Sequence, residues 1–447
     1  MKIELPPKTK SGFSDLPGDL WDLMEKRDMN ELLRKIDEEY YYWDKVKHQP
    51  LPKGITGEDL WGIVKRLRDF KAHYTRFGKY HFKYNLTGYI QREVHHFDLN
   101  IGGNIGSMSP VSESEKNRYL ISSIMEEAIA SSQIEGAVTT RKKAKEMLRK
   151  NISPKNKSEQ MILNNYITIR NIVEHKEEKL TPQKLLEIHK LITNKTLDNS
   201  EEEGRFRQND DVSVVDAVEG DVVYSPPSYK EVSGMIKELC DFINEGASLN
   251  SREFIHPIIK GCIIHFMIGF IHPFVDGNGR TARALFYWYL LSKGYWLTEY
   301  LSISRLIIKS KEQYAKAFLY TEVDENDLNY FIHYKLKTMH LAFDNLNDYI
   351  NRKQQEKKQV SGFQKIKHIN ERQALILGWL VDDPDSIFTV KEIETRLSLS
   401  NQTARNDLTG LVKAGLLRMT EVNKKKVSFS KSERFEELVR KFTGSKK

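Results

Sequence analysis

The sequence predicts a mainly α-helical protein that carries one small β-hairpin and a separate helix-turn-helix module near its C-terminus. Long segments with the apolar periodicity of helices dominate from about residue 106 to residue 350. Two short β-prone runs, 212–215 and 222–224, flank a turn at Gly220. A chain of 447 residues exceeds the roughly 100–200 residues of one domain, so several domains are expected. The predicted parts are an N-terminal helical module at 1–105, a main helical domain at 106–352, and a linker with the C-terminal module at 353–447.

The composition is that of a soluble globular protein, with 30% charged and 39% hydrophobic residues. The formal charge of +8 permits contact with nucleic acid or acidic proteins but does not require it. Cys240 and Cys262 are too few for a disulfide framework or a zinc cluster, so a cytoplasmic location is expected. The most apolar run, 262–271, is shorter than the about 20 residues that cross a bilayer, and no membrane contact is predicted.

The N-terminal module at 1–105 is predicted to be helical and rich in aromatic side chains. Stretches such as Tyr40 to Trp43 alternate with breaks at Pro50, Pro52 and Gly54. This pattern does not indicate a reaction, and the role of the module is not predicted.

A helix is predicted to end within the segment SSQIEG at 131–136, where Ser131 and Glu135 share one helical face. Gly136 ends the helix, so Glu135 falls in the last turn, where the negative end of the helix dipole repels a carboxylate. A compensating cation is therefore expected nearby, and Arg283 is the natural candidate. Taken alone, the pattern also fits a solvated glutamate before a helix-ending glycine.

A loop at 272–283, with the sequence HPFVDGNGRTAR, joins two predicted helices. Pro273 disfavours helix in the residue before it, which leaves His272 at a helix terminus. Gly277, Asn278 and Gly279 tolerate left-handed backbone angles and can point several N–H groups at one place. Such a place favours an anion.

The charged side chains of this loop indicate phosphate chemistry. Arg280 and Arg283 are placed in the first turn of the next helix, where the dipole disfavours cations unless a ligand is bound. With the N–H groups they would cradle phosphates, and Asp276 is a hard oxygen ligand suited to magnesium. His272 would take the proton from an attacking hydroxyl.

This loop resembles the signature loop of the Fic family, whose pattern is His-x-Phe-x-(Asp/Glu)-Gly-Asn-Gly-Arg-x-x-Arg. The resemblance implies a helical fold with one small hairpin and the transfer of AMP from ATP to a protein hydroxyl. The roles that it implies are His272 as general base, Phe274 as a buried anchor, Asp276 as the Mg²⁺ ligand, Gly277, Asn278 and Gly279 as the phosphate nest, and Arg280 and Arg283 as ligands of the distal phosphates.

Two upstream segments resemble further parts of the same family. GRFRQNDDVSV followed by VVYSPPS is similar to the family's hairpin flap, which binds an extended stretch of target, here through Val212, Ser213, Val214 and Val215. Ser131, Glu135 and Gly136 match the family's inhibitory motif. The resemblance implies that Glu135 occupies the γ-phosphate site through Arg283 and keeps basal activity low. In some relatives such a glutamate supports AMP removal, and the sequence does not separate these two roles.

The C-terminal module, at 389–429, has the spacing of a winged helix-turn-helix. A capping box at Thr389 opens one helix, a second runs from Asn401 to about Lys413, and two β-prone runs flank a basic tip at 424–426. Asn401, Gln402, Arg405 and Asn406 are predicted to be exposed on the second helix. DNA contact is one interpretation, and protein docking is the other, since Asp407, Glu392 and Glu394 reduce the positive charge of this face.

The sequence thus predicts a protein adenylyltransferase that uses ATP and Mg²⁺ to modify a Ser, Thr or Tyr hydroxyl of a target protein or of itself, restrained by Glu135. A Fic enzyme with another donor such as UTP, an enzyme that removes AMP, and a nucleotide-sensing DNA-binding regulator are the alternatives. A homodimer is left open.

Overall fold

The computed structural model divides the chain into two compact units, Met1–Asp344 and Asn345–Lys447. The predicted N-terminal module therefore falls in the same unit as the main helical domain, and the three-part division stays a prediction. The residues that the structure describes are 3–8, 27–51, 54–102, 113–215, 220, 222–245, 254–364, 366, 369–382, 386–423, 426–435 and 437–438.

The first unit is mainly helical. Its helices are α1 (Arg27–Glu39), α2 (Trp43–Val46), α3 (Gly57–Phe70), α4 (Gly88–Asn100), α5 (Glu113–Ile134), α6 (Arg141–Arg149), α7 (Lys157–Glu174), α8 (Pro182–Thr193), α9 (Tyr229–Asn244), α10 (Pro257–Ile271), α11 (Asn278–Ser292), α12 (Ile303–Ile307), α13 (Lys311–Val323) and α14 (Asn329–Gln364), which continues into the second unit. Its strands are β1 (His73–Phe77), β2 (Tyr80–Tyr84), β3 (Val214–Val215) and β4 (Val222–Tyr224). Short 3₁₀ turns lie at Ser200–Glu202, Trp296–Tyr300 and Ile308–Ser310.

The N-terminal region is held to the rest of the unit by buried polar contacts. The Lys65 ammonium lies 2.7 Å from the Asp324 carboxylate, and both side chains are almost fully buried. Arg68 donates from Nη1 to the Tyr330 hydroxyl at 2.8 Å, and that hydroxyl donates to Asp324 at 2.8 Å. Because unpaired charges are costly inside a protein, these partners specify how α3 packs beside α14.

The N-terminal region contains a hairpin that the helical prediction did not anticipate. Strands β1 and β2 pair antiparallel, with Phe77 opposite Tyr80 and Gly78 in the turn at φ 59°. Phe82 of β2 is buried and packs its ring 5.0 Å from the ring of Phe270 in α10. This hairpin therefore supports the helix that leads into the 272–283 loop.

Helix α10 is buried along almost its whole length, which fits its largely apolar sequence, interrupted by Lys260 and His265. Pro257 occupies the first turn, where its missing N–H costs nothing, and the His256 side chain accepts from the Ile258 N–H at 3.3 Å. Helix α11 packs against it after the loop. Among the described residues, no helix combines the length and apolar character needed to cross a membrane.

The hairpin predicted at 212–224 is present. Val214 pairs with Tyr224 and Val215 with Val222, while Val212 and Ser213 precede the strand. The Tyr224 hydroxyl donates to the Phe270 carbonyl at 2.9 Å, which attaches the hairpin to the last turn of α10. Residues 216–219 and 221, at the tip, lie outside the described residues.

The second unit contains the elements predicted for the C-terminal module, in the predicted order. They are α15 (Glu371–Asp382), α16 (Val390–Leu397), α17 (Asn401–Lys413), β5 (Leu417–Asn423) and β6 (Lys426–Lys431). The Thr389 side chain accepts from the Glu392 N–H at 3.2 Å, and β5 pairs antiparallel with β6. Ala404, Leu408 and Leu411 are buried on α17.

The expectation that Asp407 dilutes the exposed positive face was wrong. Asp407 is buried, and its carboxylate accepts from Arg372 Nε at 2.6 Å and from Asn370 Nδ2 at 2.9 Å. The carboxylate packs inward because Arg372 lies across from it on α15. Lys424 and Lys425 of the predicted basic tip lie outside the described residues.

Candidate active site

His272 occupies the junction between α10 and the loop, as predicted. Helix α10 ends at Ile271, and His272 adopts a left-handed conformation with φ 48° and ψ 59°. Its Nδ1 lies 3.2 Å from the Gly269 carbonyl. Because a carbonyl can only accept a hydrogen bond, Nδ1 carries the proton in the neutral ring and Nε2 keeps its lone pair.

Burial lowers the pKa of His272 below its ordinary value, and the Gly269 carbonyl and the Glu135 carboxylate oppose this shift only in part. The ring is therefore neutral at pH 7 and Nε2 is free to accept a proton. This is the protonation state that a general base requires.

Phe274 anchors the loop, and its side chain is fully buried. Its ring stacks on the His189 ring with centroids 3.7 Å apart. The Asn278 side chain accepts from the Phe274 N–H at 2.9 Å and donates to the Phe274 carbonyl at 2.7 Å. Asn278 therefore fixes the loop with its side chain, while its backbone N–H lies at the start of α11.

The loop leads into the N-terminus of α11, which begins at Asn278 after Gly277 with φ 83°. Arg280 is fully buried and donates from Nη1 to the Ile192 carbonyl at 3.2 Å. Arg283 lies in the second turn of α11, one turn later than the sequence placed it, and is also buried.

Each of the two guanidinium groups has N–H donors that make no hydrogen bond to the described residues. Nε and Nη2 of Arg280 and Nη1 of Arg283 are buried and make no hydrogen bond within the described part of the chain. Burial lowers the pKa of Arg280, and the carboxylates of Asp276 and Glu135 compensate for this only in part. Buried donors of this kind require a partner, and an anion at the helix N-terminus would supply it.

Asp276 is the carboxylate of the loop that solvent reaches, with its side chain 49% exposed. Its Oδ1 accepts from the Gly277 N–H at 2.5 Å and lies 3.4 Å from Arg280 Nη2. No group of three or more His, Cys, Asp or Glu side chains suited to a metal occurs among the described residues. A single carboxylate fits Mg²⁺ where substrate phosphates supply further ligands.

Glu135 follows the last residue of α5 and lies against the loop. Its Oε1 is 2.8 Å from Arg283 Nη2, so the expected compensating cation is Arg283. Arg283 also donates from Nε to the Ser131 hydroxyl at 2.8 Å and from Nη2 to the Ser131 carbonyl at 2.9 Å. Gly136 has φ 91° and turns the chain away. The structure thus brings Ser131, Glu135 and Arg283 together.

The carboxylate of Glu135 also lies against Gly279, in the first turn of α11. A Cβ atom built on Gly279 would lie 2.3 Å from Glu135 Oε1. The carboxylate therefore occupies the space beside Gly279 that a side chain at this position would need.

Two residues of the site were missed from the sequence. His189 of α8 accepts from the Gly204 N–H at Nδ1, 3.0 Å away, and so donates from Nε2 to the Asp276 carbonyl at 2.9 Å. Arg207 donates from Nε to the His272 carbonyl at 3.0 Å. Burial lowers the pKa of His189 to about 4, so its ring stays neutral. Neither residue carries a local pattern that marks it, because their partners are distant in sequence.

Comparison with known proteins shows which family the region around this loop resembles. Residues 179–290 match the model of the Fic/DOC family, a range that includes the whole 272–283 loop and excludes the 131–136 segment. The chain is 35% identical over 72 residues to protein adenylyltransferase fic-1 of Caenorhabditis elegans, which covers 16% of this chain and 13% of that protein. It is 31% identical over 120 residues to protein adenylyltransferase Fic of Nematostella vectensis, covering 27% of this chain and 25% of that protein. The chain therefore aligns with a quarter or less of each of these two relatives.

Two solved structures are similar at low identity. A Fic family protein from Desulfovibrio desulfuricans G20 has a TM-score of 0.48 at 19% identity, covering 77% of this chain and 94% of that chain. A Fic domain-containing signaling protein from Bacteroides thetaiotaomicron has a TM-score of 0.44 at 21% identity, covering 56% of this chain and 96% of that chain.

Proposed function

We propose that this chain, which carries a Fic/DOC-family domain at residues 179–290, is a protein adenylyltransferase that transfers AMP from ATP to a protein hydroxyl. The observation that carries the proposal is the pair of buried guanidinium groups, Arg280 and Arg283. Nε of Arg280 and Nη1 of Arg283 make no hydrogen bond within the described part of the chain, and they lie on the helix that follows the loop. A polyphosphate chain would satisfy these donors and leave its α-phosphorus near the imidazole.

The reaction follows from the protonation state of His272. Its Nε2 takes the proton of the attacking hydroxyl, the hydroxyl oxygen forms a bond to the α-phosphorus, and the bond to the bridging oxygen of pyrophosphate breaks. Arg280 and Arg283 stabilise the charge that moves onto the leaving pyrophosphate. Phe274, Gly277 and Gly279 keep the loop in the conformation that this geometry needs.

Asp276 is the residue that would hold Mg²⁺. The exposed carboxylate of Asp276 offers oxygen ligands at the mouth of the cradle, and phosphate oxygens would complete the coordination. When bound, Mg²⁺ would neutralise charge on the phosphates. The backbone of Asp276 is held by His189, so its carboxylate has a defined position relative to Arg280.

Glu135 is proposed to inhibit the enzyme. Its contact with Arg283 and its position over Gly279 place a negative charge where the terminal phosphate would bind. ATP must displace this carboxylate before its phosphates align, so basal activity is low. The same carboxylate is close enough to the loop to orient water for AMP removal, which is the alternative activity of this site.

The substrate is proposed to be a Ser, Thr or Tyr side chain on an extended segment of a target protein or of another copy of this chain. Strands β3 and β4, together with Val212 and Ser213, provide the flap for strand addition, which depends on main-chain hydrogen bonds. The Tyr224 contact to the end of α10 keeps the flap beside His272.

Autolabelling with radiolabelled ATP and Mg²⁺ tests the proposal. Wild type, Glu135→Gly, and Glu135→Gly with His272→Ala are compared, and label is expected chiefly in Glu135→Gly. Equal labelling of the double variant would exclude His272 as the base. UTP and other labelled nucleotides in the same assay decide the donor, because the roles proposed for the loop residues involve the phosphates and not the base.

A second candidate function is binding of duplex DNA by the winged helix-turn-helix predicted at 389–429. On α17, Asn401, Gln402, Arg405 and Asn406 are exposed, while Asp407 is neutralised by Arg372. This leaves polar and basic side chains for base edges and phosphates.

Fluorescence anisotropy with duplex DNA at several salt concentrations tests the second function. Binding is expected to weaken with salt and with Arg405→Ala, and His272→Ala serves as the control that leaves it unchanged. Binding without labelling activity would favour a nucleotide-sensing regulator. Absence of salt-dependent binding would favour protein docking.

A further inference from the structure

Arg207 lies between the 3₁₀ turn at Ser200–Glu202 and strand β3, and its side chain is 1% exposed. Its contacts fall into two groups. Towards the loop, Nε donates to the His272 carbonyl at 3.0 Å, and the Arg207 backbone N–H donates to the Pro273 carbonyl at 2.9 Å. A buried guanidinium that points at a backbone carbonyl of the catalytic loop is a strong and directional contact.

Towards the flap, the same guanidinium contacts both ends of the hairpin. Nη1 donates to the Asn209 carbonyl at 2.8 Å and to Asp210 Oδ1 at 2.8 Å, on the entry side. Nη2 donates to the Pro227 carbonyl on the exit side. The side chain therefore closes the base of the flap.

Asp210 extends this closure into the next helix. It accepts from the Ser228 hydroxyl at 2.9 Å and from the Tyr229 N–H at 2.6 Å, at the start of α9. The Arg207 and Asp210 pair thus joins the flap entry, the flap exit and α9.

The contact with His272 bears on a strained residue. A left-handed conformation is unfavourable for a side chain with a Cβ atom, and His272 adopts it with φ 48°. The surrounding structure must hold such a conformation in place. Arg207 bonds the His272 carbonyl, whose direction is set by the ψ of 59° that belongs to the same left-handed conformation.

We propose that Arg207 is a positioning residue that fixes the His272 ring and the target flap as one unit. The proposal rests on the adenylyltransferase function proposed above. Arg207 acts through the His272 carbonyl and the flap backbone and does not contact the nucleotide. Its loss is therefore expected to affect the chemical step far more than ATP binding.

Kinetics in a Glu135→Gly parent test this, with Arg207→Gln and Arg207→Lys as variants. Arg205→Gln is the matched control, because Arg205 lies two residues earlier in the same segment and is exposed. We expect kcat to fall about 10- to 100-fold in Arg207→Gln, the loss typical of a small misplacement of a catalytic group. The KM for ATP should stay within about twofold, because Arg280 and Arg283 are untouched. Lysine keeps the charge but not the planar fork, so Arg207→Lys should recover only part of the rate.

Hydrogen exchange by mass spectrometry on the nucleotide-free proteins gives a readout that does not need activity. In Arg207→Gln, the amides of 209–215, His272 and Phe274 should exchange faster, while those of α7 and α11 stay as in Arg205→Gln. Faster exchange throughout the unit, or equal falls in kcat and ATP affinity, would overturn the proposal, as would an unchanged kcat. If the Glu135→Gly parent does not label, the proposed function fails, and the exchange pattern still decides whether Arg207 joins loop and flap.

Discussion

Replacing Glu135 with alanine or glutamine is expected to raise labelling activity while lowering stability. The two partners of the contact are unequal: the Arg283 side chain is 3% exposed and the Glu135 side chain is 26% exposed. Arg283 keeps its two hydrogen bonds to Ser131 in either variant, so the guanidinium stays in place.

The magnitude follows from the single charged hydrogen bond that ATP must replace. A hydrogen bond to a charged group contributes about 1.5–3 kcal/mol. Since about 1.4 kcal/mol corresponds to a factor of ten, removing the competitor should raise the labelling rate at low ATP by about 10- to 150-fold in Glu135→Ala. Glutamine keeps an oxygen that accepts from Arg283 but has no charge, so Glu135→Gln should fall between wild type and Glu135→Ala.

The same contact should contribute to stability, because Arg283 loses its counter-ion when Glu135 is removed. The free energy of unfolding is expected to fall by about 1.5–3 kcal/mol in Glu135→Ala. Activity and stability then change in opposite directions. If the salt bridge served only the fold, its removal would lower both the activity and the stability.

The assay is the initial rate of labelling from radiolabelled ATP, measured together with the urea unfolding midpoint. Glu174→Ala is the control, because Glu174, like Glu135, lies at the C-terminal end of a helix and pairs with an arginine, but both side chains of its pair are exposed. Equal labelling by wild type and Glu135→Ala, in proteins shown to bind a fluorescent ATP analogue, would refute the inhibitory role of Glu135.

Three further outcomes are expected. Arg283→Gln added to Glu135→Ala should abolish the gain in labelling, because the cation for the terminal phosphate is lost; the same initial-rate assay measures it. Lys65→Met should lower the free energy of unfolding in urea by about 3–5 kcal/mol, because the buried Asp324 carboxylate loses the ammonium group that pairs with it and keeps only the hydrogen bond from Tyr330. Burial holds the pKa of His265 well below 6.5, so the folded state stays neutral while the unfolded state binds a proton as pH falls below 6.5. Stability is therefore lost towards acid by at most about 1.4 kcal/mol per pH unit from this group, and His265→Phe should flatten that part of the stability curve measured by urea unfolding.

The 272–283 loop could be predicted as a candidate site because its characteristic residues are close together in the sequence. His272, Asp276 and the two arginines follow one another between two helices, so local rules for helix ends were enough to place them together. Residues 179–290 match the Fic/DOC family, which confirms the resemblance drawn from this loop. The residues that hold the loop were not predictable in this way, because His189 and Arg207 act on backbone carbonyls 87 and 65 positions away.

Other elements were missed where local pattern and tertiary context disagree. The aromatic residues of β1 and β2 suit helix cores as well as strands, and the deciding feature is the turn at Gly78, with φ 59°. Asp407 looked exposed because it neighbours polar residues, yet Arg372 from another helix neutralises it. The periodicity of apolar residues does not reveal which side chains on different helices or strands form a pair.

Gly279 links the two states proposed for the site. In the restrained state, a side chain at this position would collide with Glu135, since its Cβ would lie 2.3 Å from Oε1. In the nucleotide-bound state, the same face of α11 must admit phosphate to its N–H groups. Both states therefore require that residue 279 has no side chain. The Glu135 carboxylate and an ATP phosphate would bind the same surface, one in each state. If one position serves both anions as proposed, the strength of the Glu135 contact with Arg283 would set how much ATP is bound productively.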